Sequence, residues 1–142
     1  MSNMDKLYHE IIKQHHKQPY HFSKVEDAMM SIRANNPICG DRFDIFIEVE
    51  NKVFKTLHFH GFGCAISKAS SSIMLQLLEG KPFSEAEGIC KNFLAYIHNT
   101  LNEPVYHTDF KAFSALHEQT ARLDCAALSW LEILRFLEEK MK

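Results

Sequence analysis

In "MDKLYHEIIKQHHKQP", Leu7, Ile11 and Ile12 fall at helical spacing and Pro19 closes the run. The pattern predicts a short amphipathic helix from about residue 4, followed by a polar connection. From Arg42 the period changes to two. Phe43, Ile45, Ile47 and Val49 alternate with more polar neighbours, and Val53, Thr56, His58 and His60 belong to a second β-rich run. Asn51-Lys52 lies at the turn between them, which predicts an antiparallel hairpin. "HGFG" ends the second strand. From Cys64 onward Ile66, Ala69, Ile73, Leu77 and Leu78 share a helical face until Gly80 and Pro82 stop it.

Ser84 with Glu87 three residues later reads as a capping box opening another helix, which carries Ile89, Phe93 and Ile97. Residues 99–109 have the composition of a loop, "FKAFSAL" that of a short apolar helical turn. A last amphipathic helix is expected from about Ala121, with Leu123, Leu128, Leu131, Leu134 and Leu137 as core candidates. Repeats, low-complexity tracts and linkers are absent from the sequence. The expected class is α+β: a small antiparallel β-sheet with helices packed on one face, in a single domain spanning 1–142.

A chain of 142 residues buries roughly 70% of its unfolded surface and holds together without disulfide staples. A net charge of −2 with 46% hydrophobic residues gives no basic face for nucleic acid. No apolar run approaches the roughly 20 residues of a membrane helix, and "MSNMDKLYHE" lacks the form of a signal peptide. The expectation is a cytoplasmic protein with neither nucleic-acid nor membrane partners. In that reducing compartment four cysteines point to metal ligands or reactive thiols.

"NPICGD" at 36–41 sets a thiol and a carboxylate two positions apart on a bracketed turn: Pro37 fixes its own backbone, and Gly40 frees the chain to bend. Both Cys39 and Asp41 can therefore converge on one point, as half of a metal site. Cys64 opens a helix, where unpaired N–H groups and the dipole favour a thiolate, and Gly61 and Gly63 allow close backbone approach. Cys125 lies near the start of the last helix with Arg122 on the same face, a guanidinium placed either to stabilise the thiolate or to pair with Glu118 or Asp124. Three thiolates and a carboxylate suit a closed tetrahedral zinc site, which argues against hydrolysis by zinc-bound water. Cys90, beside Ile89 and Phe93, reads as a core thiol. His58 and His60 share a strand face and read as half-exposed strand positions. His15 and His16 end the first helix, where an imidazolium would favour the dipole. Ser70, Ser71 and Ser72 read as small packing residues.

"NPICGD", "GFGCAISKASSSIML" and "RLDCAALSW" resemble, in order, three signature blocks of the IscU/NifU-type iron–sulfur cluster assembly proteins, and "LYHEIIKQHHKQP" looks like their first helix. The similarity covers nearly the whole chain and implies a SufE/NifU-like fold. Within that family it is similar to the SufU branch. Cys64 and Cys125 stand 61 residues apart, longer than the IscU pattern, and "FKAFSAL" lies in the added segment. The proline-valine-lysine stretch for chaperone recruitment and the histidine before the last cysteine are both missing.

The resemblance implies Cys39, Asp41, Cys64 and Cys125 as zinc ligands and Cys39 as sulfur acceptor. It implies a PLP-dependent, SufS-like cysteine desulfurase as partner, whose histidine takes one zinc position and frees Cys39 to attack the persulfide. Sulfur then passes to a downstream iron–sulfur scaffold or apo-proteins, so the chain is a carrier and activator rather than a conventional enzyme. The alternative is a scaffold on which Cys39, Cys64 and Cys125 hold a transient [2Fe–2S] cluster, with Asp41 making it labile. A third reading is a structural zinc domain that only binds partners. One position departs from the SufU pattern: Asp124 stands where a lysine usually precedes the last cysteine.

Overall fold

The computed structural model describes residues 3–141. Period-two alternation from Asp41 produces strand β2 (Asp41–Glu50), which turns back through Asn51-Lys52 into β3 (Val53–Phe62). Both turn residues have positive φ, 54° and 59°, the geometry of a two-residue turn whose twist matches its strands. Phe43, Ile45 and Ile47 of β2 and Phe54, Leu57 and Phe59 of β3 are buried on one sheet face.

A third strand, β1 (Met30–Asn36), pairs antiparallel with β2 and completes the order β1-β2-β3. The sequence reading had a polar connection there. Only Ala34 of the strand is buried, so as an edge strand it carries too little apolar alternation to announce itself.

The helices cover the buried face of the sheet. Helix α1 (Asn3–Lys17) packs on α2 (Ala65–Leu78) and on a 3-10 helix over Thr108–Glu118; α4 (Thr120–Lys140) lies against α2, α3 (Phe83–Ile97) and β1. At the centre, Trp130 stacks on Phe93 at 4.3 Å, and Phe110 and Phe113 meet Phe93 edge-on. Each such fully buried large side chain contributes roughly 1.5–3 kcal/mol. "FKAFSAL" thus builds a 3-10 helix whose aromatic side chains close the core. Among the described residues no helix is long and apolar enough to cross a membrane.

Two helix details differ from the sequence expectation. The capping box is not formed: α3 starts at Phe83 after Pro82, which has no side-chain cap bond. The reason is the chain's approach. Phe83 N–H donates to Lys52 O at 2.9 Å and its ring packs on Phe54 and Phe136, so the helix begins before Ser84. Glu87 pairs instead with Lys91. In α4 Leu131 is 46% exposed and Leu128 and Leu134 are half-buried, because the inward stripe is Leu123, Ala126, Trp130, Ile133 and Leu137.

His15 also departs from its expected role. It is half-buried against α2, with Nδ1 2.7 Å from Ser72 Oγ. Burial pushes its pKa below the ordinary 6.5, with Asp109 opposing and His107 adding to the shift. The fold therefore prefers a neutral ring, and the unfolded chain takes up the proton first as pH falls. Stability is fully present above about pH 6.5, declines as pH drops through the lowered folded value, and levels off below it. The stability difference between about pH 7.5 and pH 5, from urea unfolding, is expected to shrink in His15→Asn.

Candidate metal and sulfur site

Three chain segments meet at the end of the sheet where β2 begins. Cys39 lies on the Pro37–Gly40 turn joining β1 to β2, Asp41 is the first residue of β2, and Cys125 comes from the second turn of α4. The turn is closed by Gly40 N–H to Asn36 O at 2.8 Å and braced by Ile38 N–H to Asn36 Oδ1 at 3.3 Å. Gly40 has φ +75°, the bend expected of it. One ligand atom from each of Cys39, Asp41 and Cys125 lies within 4.8 Å of the others.

The burial of these groups is unequal. Cys39 is exposed, whereas Asp41 is 1% and Cys125 2% exposed. Asp41 Oδ1 accepts from Cys64 N–H at 3.0 Å, tying the β3–α2 junction to the start of β2. Its Oδ2 is buried and has no hydrogen-bond partner among the described residues. A native fold seldom leaves such an acceptor bare, since it costs roughly 1–3 kcal/mol. Burial first, and then Asp41, Cys64 and Cys39, push the Cys125 thiol well above its ordinary value. An orphaned carboxylate oxygen beside two sulfurs is the donor chemistry of a zinc or iron site, and the residues fit such an ion.

Cys64 stands next to this group but outside it. Its sulfur caps α2, accepting from Ser67 N–H at 3.5 Å. Arg122 is exposed on α4, and its side chain makes no hydrogen bond or ion pair among the described residues. Cys90 is fully buried and its thiol is pushed up by burial, in keeping with a core role. His58 and His60 point off the sheet face opposite the core, where His58 stacks on His21 and His60 lies at a tilt against Phe22.

Two features escaped sequence reasoning. Ile38 and Phe62 are 91% and 80% exposed at the same sheet end as Cys39, an apolar rim visible only once turn and strand are brought together. The serines of α2 are the second. Ser70 Oγ donates to Ala126 O at 2.6 Å and accepts from Trp130 Nε1 at 2.9 Å. Ser71 pairs with Ser129 at 2.6 Å, and Ser72 accepts from Tyr20 N–H at 2.8 Å. Ser70 and Ser71 thus form a hydrogen-bonded seam that joins α2 to α4 near Cys125, while Ser72 ties α2 to α1 and the segment after it.

Residues 7–125 match the model of the NifU-like N-terminal domain, a span that includes all four candidate ligands. The chain belongs to that family. It is 32% identical over 130 residues (91% of this chain, 88% of the relative) to the zinc-dependent sulfurtransferase SufU of Bacillus subtilis. It is 29% identical over 133 residues (92% and 82%) to the iron–sulfur cluster assembly scaffold protein IscU of Streptococcus pyogenes serotype M1. Among solved structures, a candidate iron–sulfur cluster assembly scaffold protein for the SUF system from Fervidobacterium islandicum AW-1 superposes with TM-score 0.82 at 26% identity, over 94% of this chain and 96% of that one. The α+β architecture is therefore that of the family.

Proposed function

We propose that this family member is a zinc-dependent sulfur acceptor of cytoplasmic iron–sulfur cluster assembly, taking persulfide sulfur from a PLP-dependent cysteine desulfurase onto Cys39. The supporting observation is the exposed Cys39 sulfur gathered with buried Asp41 and Cys125, in a chain alike over nearly its whole length to a protein named a zinc-dependent sulfurtransferase.

Cys39, Asp41, Cys64 and Cys125 would hold the ion. Bound zinc supplies the positive charge that keeps ligand thiols deprotonated at neutral pH. The Cys39 thiolate attacks the outer sulfur of the donor persulfide; its new S–S bond forms as the donor's S–S bond breaks and the desulfurase cysteine leaves as thiolate. The proton stays on the transferred sulfur. Ile38 and Phe62 offer apolar anchors for the protein that brings the persulfide. Exposed Arg122, on the α4 turn before Cys125, would offset the negative charge of the thiolates there.

The test is cysteine desulfurase turnover with and without the zinc-loaded protein, using the desulfurase of the same organism. Strong stimulation supports the acceptor. No stimulation, with a reconstituted [2Fe–2S] cluster that moves on to an apo-protein, supports the scaffold reading, for which the chain's likeness to named scaffold proteins speaks. Asp124 is exposed and lies outside the Cys39, Asp41 and Cys125 group. Asp124→Lys is expected to leave zinc content unchanged while altering the transfer rate, because it reverses the charge beside the incoming persulfide; zinc loss in that variant would make Asp124 a ligand.

A further inference from the structure

We propose that Lys24 and Arg42, at the Cys39 end of the outer sheet face, form a docking patch for an acidic segment of the protein that brings the persulfide. The inference rests on the acceptor reading for the identity of that protein, and adds which surface of this chain orients it.

The helices cover the buried face of the sheet, so the opposite face is the one a partner can reach. Alternation along the strands turns Arg42 and Asp44 of β2 and His60 and Phe62 of β3 outward, away from buried Phe43 and Phe59. Arg42 pairs with Phe62 and Asp44 with His60, so the four side chains share one patch. Lys24 completes it, and together with Gly61 they line a hollow of about 280 Å³. The carboxylate of the hollow is already engaged, because Asp44 accepts from Arg33 Nε at 2.9 Å. Lys24 and Arg42 are exposed, and neither forms an ion pair among the described residues. Lys68 extends the positive run: its Nζ stands 4.4 Å from the centre of the Phe22 ring, which lies 4.8 Å from His60.

The other end of the face has the reverse sign. Asp27 and Glu48 line a second hollow there, and Lys55 bridges Glu48 and Glu50 at 3.5 Å each. A chain whose net charge is only −2 thus carries a polarised face. Opposite potentials across an interface steer the encounter and fix its register. The positive end lies beside the turn that carries Cys39 and beside exposed Ile38 and Phe62. A protein that sets a sulfur on Cys39 must cover this end, and the chemistry that matches it is a carboxylate-bearing segment next to an apolar side chain.

The test is the dissociation constant of the zinc-supplied chain with the desulfurase of the same organism, measured by calorimetry at low and at physiological salt. Lys24→Glu with Arg42→Glu is expected to weaken binding about tenfold at low salt, and to flatten the loss of affinity that added salt causes in the parent. Lys24→Glu alone, on the segment after α1 and outside the strands, should weaken it about threefold. Zinc content and melting temperature should stay at parent values, since both side chains point away from the core. Lys13→Glu with Lys17→Glu, exposed on α1, makes the same change in net charge elsewhere and should shift the constant by less than about twofold. Lys24→Arg with Arg42→Lys, which keeps both charges, should bind like the parent. Equal weakening by the two double charge reversals, parent-like binding of the Lys24 and Arg42 reversal, or a parent that does not bind the desulfurase overturns the proposal. A parent that binds through this patch and yet fails to stimulate turnover upholds it and overturns the acceptor reading alone.

Discussion

Cys39→Ala is expected to return desulfurase turnover to the level seen without this protein, while the thermal melt of the metal-free chain stays where it was. The two halves have separate causes. Cys39 is exposed on a turn whose bracing bonds all run through the backbone and Asn36, so removing its sulfur leaves no cavity, and surface changes of this kind stay within about 0.5 kcal/mol. Its sulfur is nevertheless the accessible member of a group whose other two ligands are buried. Alanine removes the one exposed thiol; of the other cysteines Cys64 is half-buried and Cys90 and Cys125 are buried. Cys90→Ala is the matched control: its sulfur is fully buried among Ile89, Phe93 and their neighbours, so it should lose stability by about 1 kcal/mol or more through the cavity and keep full stimulation. Stimulation that survives in Cys39→Ala would move the acceptor to another thiol and leave Cys39 a structural ligand at most.

That contrast bears on how far the site could be read in the sequence. Cys39 and Asp41 stand two positions apart on a turn that Pro37 and Gly40 announce, so their convergence followed from local chemistry. Cys125 is 84 residues beyond Asp41, and nothing local says that α4 returns to the start of β2. The match of three motifs in order supplied that link. The placement of Cys64 was half legible. Its position at a helix start followed from the glycines and the apolar period after it, but that its sulfur serves as the cap of α2 depends on Ser67, a residue with no outward signal.

The fold divides in the same way. The β2–β3 hairpin was legible because each strand buries one face completely and the turn is two residues long. Strand β1 was not, since an edge strand with one buried residue satisfies its backbone through β2 rather than through its side chains. The start of α3 was misplaced by a local rule, Ser-x-x-Glu, that lost to tertiary packing of Phe83 between Phe54 and Phe136. The serine run of α2 is instructive in another sense. Small size explained why α2 and α4 approach closely, but each hydroxyl has its own partner on α4 or α1 or in the segment that follows α1. Those pairings exist only in three dimensions.

Gly61→Ala is expected to destabilise the protein by roughly 3 kcal/mol or more and to take metal binding with it. Gly61 pairs with Phe43 near the end of β3 and has φ +149°, a conformation closed to side-chain-bearing residues without strain. An added Cβ would stand 2.0 Å from Arg42 O, 2.9 Å from Phe43 Cα and 3.0 Å from Arg42 C. All three are backbone atoms of β2, so no rotamer change relieves the contact and the strands must part. The part of the sheet that would open carries Asp41, one residue before Arg42, and feeds Cys64 into α2 two residues after Phe62. Strain at this point therefore reaches two of the candidate ligands at once. Gly88→Ala measures the same substitution without the clash: Gly88 lies in α3 with nothing within 4 Å of its Cβ position, and alanine there should gain up to about 1 kcal/mol from helix propensity. Urea unfolding of both variants beside a zinc titration separates the outcomes. If Gly61→Ala melts like the parent and still binds zinc, the sheet end is pliant and the tie between Asp41 and Cys64 N–H does not hold the site together.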